Sequence, residues 1–106
     1  MRRLSVATSL AREVGRPEIG VAVDFYHIDE EGESLDDVVD AGALICAVQT
    51  ADTGRNEPGT GQYPHRAFVR ALDAAGYRGP VSVEIMHDIP DVQKAASLAF
   101  LRELFA

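Results

Sequence analysis

Three short apolar runs constrain the fold of this chain more than any other feature: Gly20-Val-Ala-Val-Asp-Phe-Tyr-His27, Ala43-Leu-Ile-Cys-Ala-Val-Gln-Thr50 and Val81-Ser-Val-Glu-Ile-Met86. Each has the length of a strand, and the first, mostly apolar and β-branched, does not alternate strictly between apolar and polar residues. That pattern predicts strands covered on both faces, as in a parallel sheet. Between and around them lie helical patterns. Residues 3–14 place Leu4, Ala7, Leu10, Ala11 and Val14 at helical spacing, with Gly15 as a stop and Arg16 to Ile19 as a connector. Ile28 to Glu33 reads as an acidic loop. Ser34 with Asp37 predicts the start of a short helix that turns Leu35, Val38 and Val39 inward and ends at Ala41-Gly42. Residues 64–75 form a helix with Pro64 at its start, a stripe of Phe68, Leu72 and Ala75, and Gly76 at its end. Tyr77 to Pro80 turn the chain into the third strand. Pro90 opens a last helix with Val92, Ala95, Ala96, Ala99, Leu101 and Leu104 available for packing.

The expected order is therefore α-β-α-β-α-β-α, an α/β chain of three parallel strands alternating with four helices. Helical crossovers between strands imply parallel pairing, because such connections are right-handed and return the chain in the same direction. All three strands then finish at one end of the sheet. Asp24 with His27, Gln49 with Asp52, and Glu84 converge there, one group from each strand. Polar side chains at the carboxyl ends of buried strands are the arrangement of an active site built from βα units.

Composition narrows the classes. With 106 residues and 46% apolar content the chain is long enough for one domain with a hydrophobic core. A formal charge of −7, with no basic cluster beyond Arg2-Arg3, argues against nucleic acid or an anionic membrane as a partner. The single cysteine, Cys46, lies in an apolar run and reads as a small core residue. Neither a membrane-span length of apolar residues nor a signal-peptide core is present, which places the chain in the cytoplasm.

Asp24, Gln49 and Glu84 offer three hard oxygen donors, suited to a divalent ion such as Mn²⁺ or Mg²⁺. Other readings stand beside this one. Asp24 could be satisfied by a helix N-terminus or an arginine, and Gln49 by core backbone. Glu84, flanked by Val83 and Ile85, would be a costly unpaired charge if buried, which favours a metal or catalytic role. His27 is either an ordinary loop histidine or a site residue. Arg55 either links to Glu57 or Asp52 or grips substrate oxygens. His65 and His87 read as surface or connector residues. The Pro58-Gly-Thr-Gly61 turn lacks the Lys-Ser/Thr of a P-loop.

Five segments carry a resemblance: Asp24-Phe-Tyr-His27, Val48-Gln-Thr-Ala-Asp52, Gly54-Arg-Asn-Glu-Pro-Gly-Thr-Gly61, Gly76-Tyr-Arg-Gly79 and Val81-Ser-Val-Glu84. In this order, from about Gly20 onward, they resemble the C-terminal half of the xylose isomerase-like TIM barrels. That group includes sugar phosphate isomerases/epimerases, ketose 3-epimerases, hydroxypyruvate isomerases and inosose dehydratases. The segment around Gln49 and Arg55 is most similar to hydroxypyruvate isomerase-like members, although its loop is one residue shorter and nearer the epimerase spacing. The resemblance implies a partial (β/α)8 barrel over residues 1–106, with Asp24, Gln49 and Glu84 as metal ligands. It implies that His27 and Arg55 contact substrate oxygens and that Glu84 moves a proton at carbon through a metal-stabilised enediolate. The substrate would be a small sugar, a sugar phosphate or a hydroxy-keto acid. A whole barrel takes eight strands and about 250 residues, so the expectation is a truncated form lacking the strand with a fourth ligand and a second glutamate. Two further expectations follow: copies that associate to complete the barrel, or a non-catalytic domain that binds a partner through its open sheet edge.

Overall fold

A computed structural model describes residues 3–106; Arg2, half of the basic pair, lies outside them. The elements run α1 (Leu4–Val14), β1 (Val21–Asp24), α2 (Phe25–Glu30), α3 (Asp36–Ala41), β2 (Ile45–Thr50), α4 (His65–Ala75), β3 (Val81–Val83) and α5 (Asp91–Leu104). Short 3-10 turns occupy Gly42–Leu44 and Thr53–Arg55. The three strands pair in the order β1-β2-β3, all parallel. The alternating strand–helix pattern thus gives the expected parallel sheet, a partial barrel.

The register sorts the strand residues onto two faces. Val23 pairs with Val48 and Val48 with Val81, and these stack with Val21 against the helices. Leu4 and Ala11 of α1, Val38 and Ala41 of α3, and Phe68, Ala71 and Leu72 of α4 complete this core. Phe25 and Phe68 lie face to face, with centroids 4.2 Å apart, and tie the end of β1 to α4. The opposite face is open, not covered as the lack of alternation predicted, because no described helix packs on it. Ala22, Ala47 and Ser82 are exposed there, and Asp24 and Gln49 are half-buried at its upper end.

Several elements depart from expectation for identifiable reasons. The first strand stops at Asp24, and a fifth helix, α2, takes up His27 and the first half of the predicted loop. Asp24 ends the strand by capping α2, accepting from the His27 amide at 3.4 Å, while Phe25 and Ile28 are buried at helical spacing. Cys46 is exposed, not buried. The register slips between Val21/Ile45 and Ala22/Ala47, so Cys46 is the extra residue of a bulge; its Sγ lies 3.4 Å from the Val21 carbonyl. Gly20 allows this crowding, since a Cβ there would lie 2.6 Å from the Leu44 carbonyl oxygen. Strand β3 ends at Val83, yet the Glu84 amide still donates to the Thr50 carbonyl at 3.1 Å. Ser34 supports the start of α3 through its hydroxyl, which accepts from Asp36 N, but Val39 points outward.

The flanking helices differ most. On α1, Leu10 and Val14 are each 48% exposed while Thr8 is buried in their place. On α5, Val92 and the three alanines are exposed, Leu101 and Leu104 are half-covered like Phe100, and the buried residue is Ser97. Helical spacing marks a face that can be buried, but neighbours decide whether it is, and α1 and α5 sit at the ends of the sheet.

Phe68 is the central packing residue of α4. Phe68→Ala should lower unfolding stability by about 4 kcal/mol, and Phe68→Leu by roughly 1 kcal/mol, both read from urea midpoints.

Candidate functional site

The sheet places Asp24 opposite Gln49 in the β1–β2 ladder, and Gln49 opposite Ser82 in the β2–β3 ladder. With side chains alternating across each strand, Asp24, Gln49 and Glu84 point to the open face in a row across three chain segments. The two carboxylates meet on one nitrogen. Arg55 Nη2 donates to Asp24 Oδ2 at 3.2 Å and to Glu84 Oε1 at 2.9 Å. Its Nη1 stands 3.4 Å from His27 Nε2, and its Cζ lies 4.7 Å from the centre of the Tyr26 ring. The Arg55 side chain is 14% exposed, against 50% for Glu84. Asp24, His27, Arg55 and Glu84 are thus brought together, and Gln49 stands beside Asp24 in the β1–β2 ladder. Arg55 pairs with Asp24 and Glu84, not with Glu57 or Asp52. Tyr26, a side of the site that sequence reasoning missed, is placed there by α2, an element that the sequence reading took for strand.

Arg55 is held in an unusual backbone state. Its φ is +60°, making it the one non-glycine residue with positive φ among the described residues. For an L-residue with a Cβ this conformation costs roughly 1–2 kcal/mol. The turn is fixed from both sides: Arg55 N donates to the Asp52 carbonyl at 2.9 Å, and Arg55 O accepts from Met86 N at 3.1 Å.

Asp52 anchors this turn. It is fully buried and accepts from Thr53 N and Gly59 N at 2.8 Å each, and from the Tyr63 amide at 3.4 Å. His65, 6% exposed, completes the shell through Nε2, 2.8 Å from Asp52 Oδ2. His65 is thus a core residue, not a surface one; its ring also packs edge-on against Phe25 and Phe100. The signal for this pair was present in Pro58-Gly-Thr-Gly61: a loop of free amides that enters the protein interior needs a buried acceptor. Gly59, at φ +100°, supplies one such amide. Beside it, the Tyr63 hydroxyl donates to the Glu30 carboxylate, and burial together with that carboxylate keeps the phenol protonated well above its usual range.

Asp24 and Glu84, with Gln49 paired to Asp24 in the β1–β2 ladder, offer hard oxygen donors of the kind that suit Mg²⁺ or Mn²⁺. Their convergence on a single nitrogen shows that one cation reaches both. Among the described residues no three His, Cys, Asp or Glu side chains gather as a metal site.

Comparison with known proteins agrees with the fold. The profile of a family described as xylose isomerase-like TIM barrel matches residues 2–104, taking in α1 as well as the stretch from Gly20. A ketose 3-epimerase of Arthrobacter globiformis is 32% identical over 79 residues, covering 74% of this chain and 27% of the epimerase. A putative hydroxypyruvate isomerase of Streptomyces coelicolor is 44% identical over 64 residues, covering 58% and 23%. A crystal structure of D-psicose 3-epimerase with D-fructose superposes with a TM-score of 0.89 at 22% identity, covering 99% of this chain and 44% of that one. The chain thus spans about a quarter of the length of these curated relatives.

Burial would raise the Asp52 carboxyl, but the Thr53 amide, His65 and the Gly59 and Gly61 amides overcome it and hold the group at about 2, below its ordinary 3.8. A depressed folded-state pKa means stability that is complete above about pH 4 and lost as pH falls through about 2. Asp52→Asn should be destabilised by about 3 kcal/mol at neutral pH and should lose this part of the acid slope, measured by urea unfolding between pH 2 and 7.

Proposed function

Because the chain belongs to the xylose isomerase-like TIM barrel family, we propose that it carries the C-terminal part of the active site of a divalent-metal-dependent isomerase or epimerase acting on a small sugar, a sugar phosphate or a hydroxy-keto acid. The observation that carries this reading is the convergence of Asp24 and Glu84, from separate segments, on one cationic nitrogen. Asp24, Gln49 and Glu84 would hold Mn²⁺ or Mg²⁺. The ion supplies Lewis-acid stabilisation of the negative charge that develops when a proton leaves carbon. Ketoses and hydroxypyruvate share a carbonyl beside a hydroxyl-bearing carbon, so one donor set suits either substrate class named by the relatives.

The remaining roles fall to this chain's own side chains. Glu84 is half-exposed on the open face and is the carboxylate with the access to accept a proton from carbon. Arg55, with His27 beside it, presents N–H groups that orient substrate oxygens. Tyr26 forms an apolar floor under the guanidinium. The residues 1–106 are read as one domain, the C-terminal part of a barrel, with the cytoplasm as its location; among the described residues no helix is long and apolar enough to cross a membrane.

A second reading has its own support. Strands β1 and β3 each have a single neighbour among the described residues. A groove of about 470 Å³ lies beside β1, lined by Leu4, Ala22, Asp24 and His27, and an apolar one of about 260 Å³ lies beside β3, lined by Val81, Val83, Leu101 and Phe105. These suit a non-catalytic domain, or copies that complete one another, associating through open edges.

Calorimetric titration should detect Mn²⁺ binding that Asp24→Asn and Glu84→Gln each weaken by about ten-fold or more, about 1.4 kcal/mol per decade. Deuterium from D₂O should enter the carbon next to the carbonyl of a bound ketose or of hydroxypyruvate, and Glu84→Gln should abolish it. Unchanged Mn²⁺ affinity in both variants would remove the metal site. Light scattering that finds only monomers at every concentration would remove self-completion.

A further inference from the structure

Two carboxylates that share one small space repel each other, and burial strengthens the repulsion. Here the space between Asp24 and Glu84 is filled by Arg55 Nη2, within hydrogen-bond distance of both. The guanidinium is not there by default. Its backbone adopts a left-handed conformation unfavourable for a residue with a Cβ, its plane rests on Tyr26, and its main chain is tied to Asp52 and Met86. Three separate features thus aim one positive group at one pair of negative ones. The oxygen atoms it occupies, Asp24 Oδ2 and Glu84 Oε1, belong to the donor set that suits a hard divalent ion. A carboxylate oxygen can serve both, but a guanidinium and a divalent ion between the same two carboxylates would repel each other strongly.

We propose that Arg55 is a placeholder cation for the Asp24–Glu84 pair, one that a divalent ion displaces when it binds. The inference rests on the metal reading above and adds to it an order of events. The side chain neutralises the two carboxylates while no ion is bound and keeps the strand ends together. Ion binding then frees the guanidinium, the group with the donors to grip substrate oxygens, so the substrate-binding arginine becomes available only once the ion is in place. Arg55 lowers the apparent affinity for the ion in exchange for stability without it.

The test compares wild type with Arg55→Gln and Arg55→Lys by calorimetric titration with Mg²⁺ and Mn²⁺. Arg55→Gln should bind either ion roughly ten-fold tighter than wild type, the effect of removing one charge-assisted competitor. Arg55→Lys, which keeps a charge but not the fork, should fall between them and guards against a Gln variant that does not fold. Without added ion, Arg55→Gln should melt several degrees below wild type, and saturating Mg²⁺ should close most of that gap. The Tyr26 ring protons, next to the guanidinium in wild type, should shift on Mg²⁺ addition in wild type and not in Arg55→Gln. Equal or weaker ion binding by both variants overturns the placeholder role while leaving the metal site standing. Absence of ion binding in wild type and both variants overturns the metal site, and the placeholder with it.

Discussion

The buried Asp52 carboxylate is the interaction from which the site is built outward. It gathers donors from Thr53, Gly59, Tyr63 and His65, drawn from the end of β2, the following loop and the start of α4. A single unpaired carboxylate at this depth would cost several kcal/mol, so the loop has little freedom to move away from it. Because the loop is pinned there, the Thr53–Arg55 turn can hold Arg55 in a strained state. Because Arg55 is held, Asp24 and Glu84 stay close together. The fold therefore places its functional groups through a chain of polar contacts resting on one acidic core residue, while the valines of the sheet supply the platform.

That platform has two unlike faces. Val21, Val23 and Val48 bury themselves beneath the helices, whereas Ala22, Ala47 and Ser82 leave the other face shallow and open. Small residues at the middle of that face, with large polar groups only at the strand ends, leave room for a ligand or for further barrel strands above the sheet. The exposed apolar residues cluster where the sheet ends, on α1 at Val6, Leu10 and Val14 and near β3 at Val83 and Phe105. Faces of this kind on both flanks are what a segment of a larger closed barrel presents, since closure is the usual way such edges are removed.

The parallel sheet, and the placing of Asp24, Gln49 and Glu84 at the carboxyl ends of its strands, were legible in the sequence because both rest on simple patterns. Apolar runs without alternation mark strands, and polar residues ending them mark the rim. What was not legible depended on competition between local signals or on neighbours distant in sequence. Phe25-Tyr-His27 is a β-favouring run, yet Asp24 as a cap and the burial of Phe25 with Ile28 turned it into helix. Cys46 sits in an apolar run but was pushed outward by a slip in register that no residue type announces. His65 looked like a connector residue because its partner, Asp52, lies thirteen positions earlier and meets it only after the loop has folded back. Val92 and Leu10 had the spacing of core residues but no covering element among the described residues.

The turn at Gly54-Arg55 supports the functional reading proposed for the site. Both residues take left-handed backbone angles, φ +70° and +60°. A second glycine at position 55 would make the turn without strain, and nothing in the core contacts of the loop requires a long side chain there. Arginine at that position makes sense only through what its side chain reaches: the carboxylates of Asp24 and Glu84, the ring of Tyr26 and the imidazole of His27. Backbone strain of this kind is concentrated at functional sites, which is why it supports the proposed role of Arg55. Glu84 is half-exposed, where its ion pair with Arg55 contributes about 1 kcal/mol at most, no more than the strain costs. The stabilising part of the arrangement is instead the neutralisation of two carboxylates that would otherwise repel each other across the strand ends. One positive group fixed above two oxygen donors serves both that purpose and the aim of the side chain.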